Sequence, residues 1–199
     1  MSDFTYPVSD LAPSPGPTPS QTVGPFFAYA LPYEDGPDVA GPDRAGAIHL
    51  FGRVLDGAGA PLPDALVEIW GPDQDGTFVT GGGVLSPVGP DGFRGFGRAE
   101  TDVEGHYAFR TVLPGSVPTA DGVAQAPHLA VLIFGRGMLR QVATRIYFPD
   151  HDHSTDPLLT ALPADRAATL IASREQDGYR FDVHLQGDQE TVFLDQFGR

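Results

Sequence analysis

The sequence predicts an all-β fold, a β-sandwich preceded by an N-terminal arm and carrying one short helix. Three observations point there. Short apolar stretches with strand-like patterning recur along the whole chain. The breakers between them are plentiful, 25 glycines and 20 prolines in 199 residues, and are spread out rather than clustered. Only one segment carries a convincing helix signature. Many short strands joined by tight turns are what such a pattern yields, because each strand buries one face and two sheets must meet to bury both.

Residues 1–45 read as an arm and interface segment. SDLAPSPGPTPSQT is rich in proline and serine and favours extended backbone. VGPFFAYALPY, residues 23–33, is apolar and aromatic, so Phe26, Phe27, Tyr29 and Tyr33 should pack on the body or on another chain. Residues 34–45 return to loop, and residues 46–199 form the sandwich domain. Eight strand candidates follow: 48–55, 65–70, 95–101, 106–112, 128–134, 140–148, 179–186 and the closing TVFLDQF. DVEG between the third and fourth is a hairpin signal, and Gly-Arg-Gly turns the fifth into the sixth. YRFDVHLQ alternates, with Tyr179, Phe181, Val183 and Leu185 on one face, as a half-buried strand requires. PADRAATLIASR, residues 163–174, is the helix, with proline near its start.

Composition narrows the function. The chain has no cysteine, which removes disulfides, thiolate metal sites and cysteine nucleophiles. Its formal charge is −14, which repels phosphate backbones and anionic lipid, so neither nucleic acid nor membrane is an expected partner. No apolar run approaches the roughly 18 residues of a membrane span, and the first residues lack the pattern of a secretory signal, so a cytoplasmic location is expected. An anionic ligand would need a local cation to overcome the field.

The polar candidates are few. His49, His106 and His184 sit in strand patterns without a partner at ligand spacing, and read as solvent-facing or hydrogen-bonded. HDH at 151–153, with Asp150 and Asp152, could interest a metal, but a solvated loop explains it better. DQDG at 73–76 lacks the rest of a calcium loop and reads as a turn. His128 opens the apolar run HLAVLIF and is either a ligand or a hydrogen-bonded core residue. Arg136 sits between two glycines at a turn, where a guanidinium can meet a carboxylate with two hydrogen bonds; an ordinary exposed turn arginine is the plainer account.

GRVLDGAGAPLPDALVEIW (52–70) followed by TDVEGHYAFRTVLPG (101–115) is similar to a pattern found in prealbumin-like β-sandwiches. With EIW, the APH strand, the ending YRFDVHLQGDQETVFLD and the opening TPSQTVGPFF, the chain resembles the intradiol ring-cleaving dioxygenases over roughly residues 18–199. The resemblance implies non-haem Fe(III) held by two tyrosines and two histidines. The histidines are two residues apart, so both point from one strand face.

Matched motif to motif, His128 stands at the first histidine position and Ala130 at the second. The tyrosine positions fall at Val117 and Leu85, and no tyrosine occurs between Glu34 and His106. Three ligands of four are therefore absent, and His128 is expected to be a hydrogen-bonded remnant. The resemblance then implies that this chain binds no metal and contains no catalytic residue. The iron would sit in a homologous beta subunit, and the two chains would form a hetero-oligomer with an aromatic acid substrate at their interface. Thr22, Gly24 and Pro25 would wall the substrate cavity, and Arg136 would supply the cation. A metal-free binding or scaffolding module is the alternative; a self-sufficient metalloenzyme built on His128 and the HDH loop ranks last.

Overall fold

A computed structural model describes residues 18–24, 26–79 and 88–195. Among them are nine strands: β1 (Ala47–Leu55), β2 (Leu66–Trp70), β3 (Phe96–Glu100), β4 (His106–Val112), β5 (His128–Phe134), β6 (Val142–Tyr147), β7 (Ser173–Glu175), β8 (Gly178–Arg180) and β9 (Val183–His184). Three short helices accompany them: α1 (Phe27–Ala30), α2 (Pro157–Ala161) and α3 (Ala164–Ala168). One sheet runs β4-β1-β8-β7, with β9 also on β1; the other runs β3-β2-β5-β6. None of these helices is long and apolar enough to cross a membrane.

The expected sandwich is present, and alternation builds it. In β5 Leu129, Val131 and Ile133 point inward while His128, Ala130 and Leu132 face out. In β4 Tyr107 and Phe109 point inward, Phe109 opposite Leu50 of β1, and Val54 of β1 joins the same core. The inner residues of both sheets merge into one core with Val39, Phe148, Phe181 and Val183. A second small cluster of Ala126, Tyr147, Leu159 and Leu170 lies at the start of β5, under α2.

Four expectations require correction. The DVEG turn does not join a hairpin. Its Asp102 side chain accepts the Glu104 and His106 N–H groups at 2.9 Å, but β3 pairs with β2 and β4 with β1, so the turn carries the chain from one sheet to the other. Local turn chemistry is the same in either case; which edge is free decides the pairing. The helix of 163–174 stops at Ala168, because Leu170 and Ile171 dock beside the β6 edge, where Leu170 O accepts the Tyr147 N–H at 2.8 Å. The strand of 179–186 breaks at Phe181–Asp182, because the Asp182 carboxylate takes the Arg53 N–H at 3.0 Å in place of a ladder carbonyl. A side chain at Gly52 would overlap the Phe181 carbonyl, so glycine there permits this close crossing. The closing TVFLDQF makes only a single bridge, Leu194 to Ala143, among its described residues.

The arm's aromatic segment divides. Phe27 is buried and Tyr33 lies against Arg94 and Arg98, whereas Phe26 and Tyr29 are 75% and 84% exposed. The Arg98 guanidinium ties this segment to the second sheet, donating to Leu31 O at 2.7 Å while pairing with Glu68.

Candidate functional site

The start of β5 is where the polar and apolar features converge. β2 pairs with β5 so that Trp70 faces Ala130 across the ladder. Beyond Trp70 the chain turns through Gly71 and Pro72 towards Phe78; after β4 it returns through Gly115 and Val117. The Gly115 N–H donates to Asp73 O at 2.7 Å, which ties the two loops together, and the Gln125 amide donates to Val117 O at 3.2 Å within the second. Between them lies a cavity of about 230 Å³ walled by Trp70, Pro72, Phe78, Val117, His128 and Ala130. Three positions singled out from sequence, His128, Ala130 and Val117, thus meet around one space. Leu85 lies outside the described residues.

His128 is held from behind. Its Nδ1 lies 2.8 Å from Ala126 O, which assigns the proton to Nδ1 and leaves the lone pair on Nε2. Burial holds its pKa below the usual imidazole value, only partly offset by that hydrogen bond. Its ring packs at 5.3 Å on Tyr147, whose hydroxyl donates to Asp156 at 3.1 Å and accepts from Arg145 at 3.1 Å. Burial pushes the Tyr147 phenol up to about 12, against the opposing effect of Arg145. Asp156, 1% exposed, also accepts the N–H groups of Ala126, Leu158 and Leu159 at 2.9–3.1 Å. It caps α2, with proline at the first helical position, and ties that cap to the start of β5. The Asp156–Pro157 pair was readable as a helix start; its reach back to Ala126 and Tyr147 was not.

The donor set does not fit iron. Ala130 and Val117 offer hydrocarbon, and a single imidazole is the only ligand-type side chain that the described wall provides. Among the described residues no group of three histidine, cysteine or acidic side chains could hold a metal. In the HDH loop the carboxylates are already engaged, Asp150 with Arg174 and Tyr179, Asp152 with the Ser154 N–H. His151 and His153 each keep a buried Nε2 without a hydrogen-bond partner. Asp73 accepts the Asp75 and Thr77 N–H groups, as a turn residue does.

Arg136 lies elsewhere. It follows the opposite end of β5, which at the usual rise per residue is about 20 Å from His128. Its side chain is 63% exposed and ion-paired to Asp64, a partner that sequence reasoning missed. Asp64 has a positive φ of 60°, which turns it towards that loop. Thr22 is exposed and its hydroxyl accepts the Gly24 N–H at 3.2 Å. Gly24 has a φ of 78° and open space where a side chain would stand. Pro25 lies outside the described residues. Among the described residues, Thr22, Gly24 and Arg136 take no part in the wall of the His128 cavity.

A family model described as Dioxygenase matches residues 24–187. The chain belongs to the intradiol dioxygenase family. It is 41% identical to a protocatechuate 3,4-dioxygenase alpha chain from Burkholderia cepacia, over 89% of this chain and 96% of the relative. The corresponding alpha chain of Pseudomonas putida is 36% identical over the same shares. A protocatechuate 3,4-dioxygenase beta chain from Burkholderia cepacia is 33% identical, covering 72% of this chain and 66% of its own length. The solved structure of catechol 1,2-dioxygenase from Pseudomonas arvilla C-1 matches with a TM-score of 0.53 at 23% identity, over 77% of this chain and 56% of the other. That last likeness speaks for the fold alone. Membership of this family implies non-haem iron in the working enzyme.

Proposed function

We propose that this chain is the alpha, non-iron-binding subunit of a heteromeric protocatechuate 3,4-dioxygenase. The assembly would cleave 3,4-dihydroxybenzoate between its two hydroxyl-bearing carbons and place both atoms of O2 in 3-carboxy-cis,cis-muconate. The observation that carries this reading is the cavity at the start of β5. It lies where the family resemblance puts the metal, yet Val117 and Ala130 stand at two of the ligand positions. Iron, as the family's Lewis acid, would then be bound by a homologous beta subunit. The likeness to both alpha and beta relatives supports a partner built on the same fold.

In this reading the chain contributes surface rather than chemistry. Residues 1–45 serve as the arm and interface segment, and residues 46–199 as the sandwich. Thr22, Gly24 and Pro25 wall the substrate cavity of the beta subunit. The open space at Gly24 suits a close approach by a ligand. Arg136 offers a guanidinium against the overall charge of −14. Exposed ion pairs are worth little, so Asp64 can release Arg136 to a substrate carboxylate at small cost. The exposed Phe26 and Tyr29 give the partner an apolar surface to cover.

Metal content and the visible spectrum test this directly. The chain purified alone should be colourless and free of iron; coexpressed with its beta subunit it should yield a coloured, iron-loaded assembly. Stoichiometric iron with a tyrosinate charge-transfer band in the chain alone would overturn the reading.

A further inference from the structure

A second cavity, of about 270 Å³, opens on the outer face of the first sheet, across the sandwich from His128. It is lined by Phe51 and Arg53 of β1, His106 and Ala108 of β4, and Arg180 of β8. Strand pairing sets these side by side: Arg53 lies opposite His106, and Phe51 lies between Ala108 and Arg180. Phe51 and Ala108 supply hydrocarbon, and the two guanidinium groups supply charge.

The two arginines differ in how they are matched. Arg180 Nε and Nη2 donate to the Asp182 carboxylate at 2.8–3.1 Å, and Glu175 lies 3.8 Å from Nη1. Arg53 is half-buried and has no such partner. Its Nε donates to His106 Nε2 at 2.7 Å, and its two terminal nitrogens make no hydrogen bond or ion pair among the described residues. Asp182 takes the backbone N–H of Arg53, not the guanidinium. Because His106 accepts at Nε2, its proton sits on Nδ1. Asp102 at 3.3 Å and Glu104 at 3.7 Å lie on that side of the ring, away from Arg53. Arg98, Arg110, Arg136 and Arg174 each reach a carboxylate, so an unmatched strand arginine stands out in a chain of charge −14. The bond to His106 leaves Nη1 and Nη2 as a free edge, which is the geometry that takes a carboxylate with two parallel hydrogen bonds.

We infer that this cavity binds a small organic carboxylate, its oxygens on Arg53 Nη1 and Nη2 and its apolar body against Phe51 and Ala108. The ligand supplies the counterion that Arg53 lacks. An inorganic anion would match the charge and leave the apolar surface wet; an alcohol would do the reverse. Roughly 150 Å³ suffices for benzene in an apolar cavity, so a body of about six carbons fits with its carboxylate. The site is independent of the proposed subunit role.

The test is a calorimetric titration of the full-length chain with hexanoate, with hexan-1-ol and inorganic phosphate as comparison probes. Hexanoate should bind saturably at one site. Each comparison probe should bind about tenfold more weakly or worse, as the loss of charge-assisted hydrogen bonds or of apolar contact requires. Arg53→Met keeps an unbranched stem without the charge, and Ala108→Leu fills the space from an exposed strand position. Either should weaken hexanoate binding about tenfold. Arg44→Met removes a guanidinium elsewhere on the surface and should leave the affinity within about twofold. Lack of saturable binding by the unaltered chain, unchanged affinity in Arg53→Met or Ala108→Leu, an equal loss in Arg44→Met, or binding of hexan-1-ol or phosphate as tight as that of hexanoate would overturn the inference.

Discussion

The two ends of β5 differ in what surrounds their polar groups. At the first residue, His128 is packed on Tyr147, bonded to Ala126 and backed by Asp156, which is itself shielded from water. At the far end Arg136 stands on an exposed turn with Asp64 as its ion-pair partner. The buried end keeps its supports although Val117 and Ala130 beside it offer only hydrocarbon. The exposed end has little support but carries a charge that any approaching molecule can feel. A packed network persists because its members stabilise the fold, whatever the cavity in front of them does. A turn arginine has almost no such structural role, so in the proposed reading its value lies in what it meets.

The sharpest way to break this comparison is Asp156→Ala. The substitution strands the N–H groups of Ala126, Leu158 and Leu159 and removes the Tyr147 partner. Breaking a buried, multiply bonded carboxylate costs about 3–5 kcal/mol, which urea denaturation would register. A loss below about 1 kcal/mol would mean that the network behind His128 is not what holds this end of the sandwich. Arg136→Ala should do the reverse. Stability should stay within about 0.5 kcal/mol of the parent. In the assembled enzyme, kcat/KM for 3,4-dihydroxybenzoate should fall about tenfold, near 1.4 kcal/mol, with iron content unchanged. Unaltered kinetics would remove Arg136 from the substrate's path. Asp64→Asn sharpens the same point with a smaller effect. Freed from its partner, Arg136 should lower KM about two- to threefold, in keeping with the modest worth of an exposed pair.

The sequence was most legible where turn residues bound an apolar run. β5 begins at His128 and ends at Phe134, as the run HLAVLIF implies, and the turn into β6 was readable from Gly-Arg-Gly. Sheet membership was less so. DVEG has the chemistry of a tight turn, yet β3 and β4 belong to different sheets, because pairing depends on edges supplied by β1 and β2 far away in sequence. The strand at 179–186 alternates cleanly but is interrupted by Asp182 bonding to Arg53, a contact across 129 positions. The meeting of His128, Ala130 and Val117 around one cavity followed from family resemblance; their spacing alone did not imply it. Trp70 and Phe78 as its walls, and Asp156 as its anchor, depend on tertiary contacts that no local pattern announces.

The smallest effect concerns pH. Burial lowers the pKa of His128, and the nearby Arg145 acts in the same direction. The unfolded chain therefore takes up a proton near the ordinary histidine value of about 6.5 while the folded chain still resists it. The stability that follows from this difference is fully present above that value and is lost as pH falls towards the folded pKa. His151 shifts the same way, also through burial, so the acid limb of the stability curve contains both groups. His128→Leu should flatten part of that limb and leave the curve's slope above neutrality untouched, as followed by urea midpoints across pH. If His128→Leu keeps the full acid slope, His151 or the carboxylates account for it. The buried end of β5 would then be no more sensitive to protons than the exposed one.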